Sequence, residues 1–197
     1  MQRNIDEIEF TIFDTETTGL DPKSGDRIVE LAAVRFIGQE RLSSFQSLIN
    51  SGHPVSLEAF NVNKISADML ISAPKPQEII PRFMDFIQGS CLCSYNVGFD
   101  LDFLNNELVL LKEAKVKDIP VVDILKIARR IIPGLERYAL WFVAERLGIK
   151  VKQAHRAFSD VELTLDVFYR LKEMMKTKEI VDFDKLLGLF SVDFNAK

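Results

Sequence analysis

The segment Phe10-Thr-Ile-Phe-Asp-Thr-Glu-Thr-Thr-Gly-Leu20 constrains this chain more than any other. It follows on from Ile8, and residues 8–13 form an apolar run rich in β-branched and aromatic side chains, which reads as a buried strand. Asp14 and Glu16 stand where that strand is expected to run out. On an extended backbone, residues two apart project to the same side. Two anions held in that way raise each other's pKa unless a cation lies between them. A hard divalent ion such as Mg2+ or Mn2+, which prefers oxygen ligands, would resolve the conflict. The plain alternative is a solvated strand end with a turn starting at Asp14 and Thr15. For an Asp-x-Glu pair alone that alternative is the commoner one, so the rest of the chain has to decide.

The chain has 197 residues, 47% of them hydrophobic and 27% charged, which is the composition of one globular domain. The expected division is a domain over residues 1–175 and a C-terminal helix or tail over residues 176–197. No apolar run approaches the length of a transmembrane helix, and Met1-Gln-Arg-Asn4 lacks a signal-peptide core. The expectation is a cytoplasmic protein with no membrane partner. Cys91 and Cys93 are too close on a predicted strand to pair, and read as reduced core residues. The net charge of −4 argues against a protein that coats nucleic acid by bulk electrostatics. It leaves room for one that grips a short end locally.

Asp21-Pro22 and Ser24-Gly25-Asp26 predict a turn. A second strand follows over residues 28–37, where Ile28, Glu30, Ala32, Val34 and Phe36 alternate with Val29, Leu31, Ala33 and Arg35. Gly38-Gln39 reads as a tight turn into a third strand near residues 42–49, giving an antiparallel meander. Residues 50–76, broken by Gly52, Pro54, Pro74 and Pro76, read as a long connection with short helices. Helices are predicted over residues 77–88, 96–111, 124–131, 138–147 and 157–175, with short strands at 91–94 and 119–122. Strands first, then strands alternating with helices, predict an α/β domain with a mixed sheet and helices packed on it.

Two further carboxylates sit where solvent-facing residues are not expected. On a helix starting near Asn96, Leu101, Leu104, Leu108 and Leu111 share one face, and Asp100 falls at its edge. Burying it unpaired is costly, so it needs a partner or an N-cap role. Asp102 falls on the opposite side and reads as a solvated charge. On the last helix, Glu162, Asp166, Arg170 and Glu173 mark the solvent face, while Asp160 lies away from it among Ala157, Leu163, Val167 and Leu171. Such a carboxylate is ion-paired or a metal ligand. His155 precedes this helix. Histidines in that position more often cap or pack than catalyse. His53, in a Gly/Pro loop, is assigned no role.

Asp14-x-Glu16, Asp100 within Asn-x-x-Phe-Asp, and His155-x-x-x-x-Asp160 together resemble the signature of DEDDh-type 3′→5′ exonucleases. Phe13-Asp-Thr-Glu-Thr-Thr-Gly-Leu-Asp-Pro22, Asp26-Arg-Ile-Val-Glu-Leu-Ala-Ala-Val34 and Ala154-His-Arg-Ala-Phe-Ser-Asp160 look like the family's three motifs. Asp123-Ile-Leu-Lys-Ile-Ala-Arg-Arg130 and Leu140-Trp-Phe-Val-Ala-Glu-Arg-Leu-Gly-Ile149 resemble its intervening helices. Within the family the likeness is to the proofreading epsilon subunit of bacterial DNA polymerase III and its relatives. It covers about residues 7–175. One departure is Tyr95, where many relatives have histidine.

The resemblance implies a ribonuclease H-like fold with a central mixed five-stranded sheet flanked by helices. It implies that Asp14, Glu16, Asp100 and Asp160 hold two divalent ions, Mg2+ or Mn2+, with His155 as general base. Thr17 and Thr18 are the implied contacts to the terminal nucleotide, with Asn96 and Phe99 near the same pocket. The implied activity is hydrolysis at single-stranded or frayed DNA 3′ ends to nucleoside 5′-monophosphates, in proofreading or repair. RNA 3′ ends are the enzymatic alternative, since the motifs are shared. A non-catalytic module docking on a polymerase is the reading from another class; loss of a motif residue would favour it, and none is lost. Leu187-Gly-Leu-Phe190 loosely resembles a sliding-clamp-binding peptide, against the plainer reading of an apolar helix packing back on the domain.

Overall fold

The computed structural model describes residues 3–151 and 156–192. A five-stranded sheet runs through it in the order β3-β2-β1-β4-β5. Its strands are β1 (Glu9–Thr17), β2 (Ile28–Ile37), β3 (Glu40–Leu48), β4 (Cys91–Ser94) and β5 (Val121–Asp123). β1, β2 and β3 form the antiparallel meander, while β4 and β5 run parallel to β1. The long connection after β3 holds α1 (Leu57–Asn63) and α2 (Ala67–Ile71), each N-capped by a serine, Ser56 and Ser66. It leads into α3 (Pro76–Ile87).

Period-two alternation gives the sheet two apolar faces. Phe10, Ile12, Ala32, Val34 and Phe36 share a core with α5 (Ile124–Ile131), α6 (Leu140–Arg146), α7 (Ala157–Lys176) and α8 (Phe183–Phe190). Phe13, Leu31, Ala33 and Leu92 share the other with α3 and α4 (Val97–Leu110). Cys91 and Cys93 are free, buried residues of β4. Among the described residues no helix is long and apolar enough to cross a membrane. Of the residues after 176, Phe183, Leu186 and Phe190 insert into the first core, so α8 lies on the domain.

One sequence expectation is corrected. β1 does not run out at Phe13 but continues through Thr17, so Asp14 and Glu16 lie inside the strand. The reason is tertiary: β2 pairs along the whole of it, matching Asp14 with Ala32 and Glu16 with Glu30. That pairing overrides the turn preference of an Asp-Thr-Glu-Thr segment. The chain turns only after Thr18, where the Asp26 carboxylate packs against Gly19 so closely that a Cβ there would have to displace it.

Candidate active site

The alternation that builds the two cores also sorts the motif residues. Asp14 and Glu16 continue the series of Phe10 and Ile12, so they face α7. Thr15 faces the other way, toward α4. Asp160 lies in the first turn of α7. The carboxylates of Asp14, Glu16 and Asp160 can bring one oxygen each within 4.8 Å of one another. The Arg156 amide donates to Asp160 at 3.2 Å.

Asp100 enters from the opposite side of the strand. It is 3% exposed in the first turn of α4, and among the described residues no cation forms an ion pair with it. Its neutral donors are the Thr15 amide at 2.9 Å, the Thr15 hydroxyl at 2.8 Å and the Ser94 hydroxyl at 2.5 Å. Asp100 therefore clamps α4 to β1 at the residue between Asp14 and Glu16. Asp102 is exposed.

The electrostatics follow from this crowding. Burial, then the charges of Asp100, Glu16, Asp160 and Glu30, push the Asp14 carboxyl well above its usual range. Burial, then Asp160, Glu30 and Asp100, raise Glu16 to about 8. Burial raises Asp100 to about 6, with the Ser94 and Thr15 hydrogen bonds holding it down. A group of carboxylates this close cannot all ionise without a counter-charge. Their hard oxygen donors fit a divalent cation such as Mg2+ or Mn2+.

Two residues that sequence reasoning passed over shape this site. Glu30 is fully buried on β2 and accepts a two-pronged ion pair from Arg156, Nε at 3.0 Å and Nη2 at 2.9 Å. The Ala157 amide and the Gln46 side chain add donors at 3.2 Å each. The first turn of α7, and with it Asp160, is thereby fastened to the sheet. On the other face Arg27 grips Glu107 of α4 in the same forked manner, at 2.7 and 2.6 Å. The available signal for Glu30 was its place as the one charged residue among Ile28, Ala32, Val34 and Phe36. Nothing local pointed to Arg156 as its partner.

Among the described residues the cleft over the carboxylates, about 360 Å³, is lined by side chains of β1, α4, α6 and α7 and by the residues just before α4 and α6. Asn96 and Phe99 belong to that lining; Thr17 and Thr18 do not. Asn96 caps α4 in a left-handed conformation, φ 69°, without a side-chain capping bond. The Thr18 hydroxyl donates to Asp26 at 3.0 Å, and the Thr17 hydroxyl donates to the Gly19 carbonyl at 2.6 Å. Both threonines are thus committed to the loop beside the cleft. Tyr95 also lines the cleft, and its hydroxyl donates to the Tyr138 carbonyl at 2.7 Å. His155, the expected general base, lies outside the described residues.

An exonuclease family model, RNase_T, matches residues 11–168. The chain belongs to this exonuclease family. Among curated relatives, the DNA polymerase III subunit epsilon of Treponema pallidum is 38% identical over 163 residues, covering 82% of this chain and 75% of that protein. A DNA polymerase III subunit epsilon-like protein of Rhodobacter capsulatus is 34% identical over 98% of this chain, but the chain spans only 28% of its length. For the PolC-type DNA polymerase III of Bacillus subtilis, 34% identical, the share is 12%. The ribonuclease H-like fold is shared with solved exonucleases. Exonuclease X in complex with 5′ overhanging duplex DNA superposes with a TM-score of 0.71 at 24% identity, covering 91% of this chain and 98% of that one. The nuclease domain of 3′hExo, a DEDDh family member bound to rAMP, superposes at 0.76 with 17% identity, covering 87% and 94%.

Proposed function

We propose that this chain is a metal-dependent 3′→5′ exonuclease that shortens DNA strands from the 3′ end, releasing nucleoside 5′-monophosphates, in proofreading or repair. The observation that carries the reading is the carboxylate cluster. Asp14, Glu16 and Asp160 converge across β1 and α7 at the floor of an open cleft, where crowding raises the Asp14 and Glu16 carboxyls. Together with Asp100 they would hold two divalent ions, Mg2+ or Mn2+. When bound, such a pair supplies an activated water and offsets charge on the leaving oxygen.

The chain's own groups do the remainder. His155 would take the proton from the attacking water, since imidazole titrates near neutrality. A P–O bond forms from that water, and the bond from phosphorus to the penultimate 3′-oxygen breaks. Asn96 and Phe99 would meet the terminal nucleotide from the cleft wall. Thr17 and Thr18 would shape the loop beside it. Asp100 holds β1 and α4 together, keeping Asp14 and Glu16 fixed as the substrate enters.

Two relatives carry the name of DNA polymerase III subunit epsilon or a protein like it, which supports DNA as substrate and a polymerase as partner. The rAMP in the 3′hExo structure supports RNA 3′ ends as the second reading. The deciding experiment incubates 5′-labelled DNA and RNA strands with the wild-type chain, Asp14→Ala and His155→Ala, in Mg2+, Mn2+ or EDTA. Stepwise shortening that is absent in EDTA and in both variants is expected, with DNA preferred. Absence of shortening for either strand by a folded, metal-binding chain would leave the docking module instead.

A further inference from the structure

Trp141 is the only tryptophan of the chain and lines the cleft that holds Asp14, Glu16 and Asp160. It stands in the first turn of α6 and is 39% exposed. Leaving part of an indole in water forgoes burial that a folding core would use. Arg137 lies beside it, its guanidinium carbon 5.9 Å from the Trp141 ring centre and 5.6 Å from that of Phe142. Arg146 lies 5.0 Å from the Phe142 ring, and Arg129 lies 5.8 Å from that of Tyr138.

Among the described residues neither Arg137 nor Arg146 forms an ion pair. The segment is also charged against the rest of the chain. Between residues 124 and 150 six lysines and arginines accompany two glutamates, in a protein of net charge −4. Cations interleaved with aromatic rings, leading into an acidic site, are the combination that holds single-stranded nucleic acid without reading its sequence. Every base has a π-face to stack, and every nucleotide brings a phosphate.

We infer that Trp141 is a stacking platform for a base near the end of the incoming single strand, with Arg137 meeting that strand's phosphates. This rests on the exonuclease reading for where the strand ends, but the binding site can be tested apart from it. Trp141 is a positioning residue here: it sets how strongly the strand is held, and leaves bond cleavage to the carboxylates.

Because the chain has one tryptophan, fluorescence excited at the red edge of the indole band, where its three tyrosines do not absorb, reports this site alone. The full chain is titrated with a ten-nucleotide poly-dT strand in EDTA, and with poly-rU as a second arm. Saturable quenching is expected with dT. Steady-state hydrolysis is then compared for wild type, Trp141→Ala, Trp141→Leu and Trp141→Phe. Trp141→Ala should raise KM roughly 5- to 100-fold, with a much smaller change in kcat. Trp141→Phe should recover most of the loss, whereas Trp141→Leu, which keeps bulk but has no π-face, should not. Arg137→Ala should lower the slope of log affinity against log salt by about one unit.

Unchanged fluorescence together with an unchanged KM for Trp141→Ala would overturn the platform, and strand shortening by wild type would still leave the exonuclease standing. Rescue by leucine as well as phenylalanine would also overturn it, by making Trp141 a packing residue. Quenching without any hydrolysis would uphold the platform while removing the exonuclease.

Discussion

Glu30 stands directly opposite Glu16 across the β1–β2 pair, on the same face of the sheet. The two carboxylates have opposite electrostatic fates. Burial works to raise Glu30, but Arg156, Gln46 and the Ala157 amide outweigh it and hold the carboxyl below its usual range. Glu16 has no such fork and rises to about 8. One arginine therefore neutralises the structural carboxylate and leaves its neighbour in the cluster unbalanced.

Removing that arginine should be costly to stability. Arg156→Ala leaves Glu30 buried without its cation, and the expected loss is about 3 kcal/mol. The double variant Glu30→Gln/Arg156→Ala should lose less than the single one, because no charge is stranded. Urea denaturation in EDTA measures both. A double variant less stable than Arg156→Ala alone would contradict the assigned pairing.

The raised carboxyls predict an unusual pH dependence. Each binds a proton more tightly in the folded chain than in the unfolded one, so stability falls as pH rises. Their contribution is fully present below about pH 4, the unfolded carboxylate value. It is lost as pH climbs through about 6 for Asp100 and about 8 for Glu16. In EDTA the melting temperature should thus fall between pH 5 and pH 8.5. Mg2+ or Mn2+ should raise it more at pH 8.5 than at pH 5. A melting temperature that climbs across this interval in EDTA would show that the cluster is not protonated as described.

Asp160→Asn should cost activity. It removes one of the three carboxylates that converge at the cleft floor. Strand hydrolysis should fall by more than about 100-fold, since even outer partners of metal ligands are worth 10- to 100-fold. Initial rates in Mg2+ beside the wild type read the effect. Hydrolysis within about 10-fold of wild type would remove Asp160 from the metal-holding set.

Ser94→Ala removes the short hydrogen bond to the Asp100 Oδ2 atom while the two Thr15 donors to Oδ1 remain. The metal concentration giving half-maximal hydrolysis should rise by about 10-fold or more. Titration of activity with Mg2+ tests it. An unchanged metal requirement would confine Ser94 to packing.

Much of this was legible in the sequence because it was local. The β2 span, the α5 span and the solvent face of α7 follow from the periods of their own side chains. Asp100 and Asp160 stood out as carboxylates away from the polar faces of their helices. The end of β1 was misread because Asp14 to Thr17 carry turn chemistry, and only pairing with β2 makes them strand. The Glu30–Arg156 fork joins residues 126 positions apart, and Asp100 meets Thr15 across 85. No local pattern encodes such partners. The same holds for Trp141, whose segment resembled only an intervening helix of the family until the fold set it beside the carboxylates.

The distance along the chain between these carboxylates has a consequence during synthesis. A ribosome that has made β1, β2 and β3 has already delivered Asp14 and Glu16, yet Asp160 arrives only with α7, after every strand is complete. A nascent or truncated chain lacking α7 has no Asp160 and cannot assemble the cluster. The proposed hydrolysis therefore becomes available only once α7 has been made, whatever the order in which the strands pair.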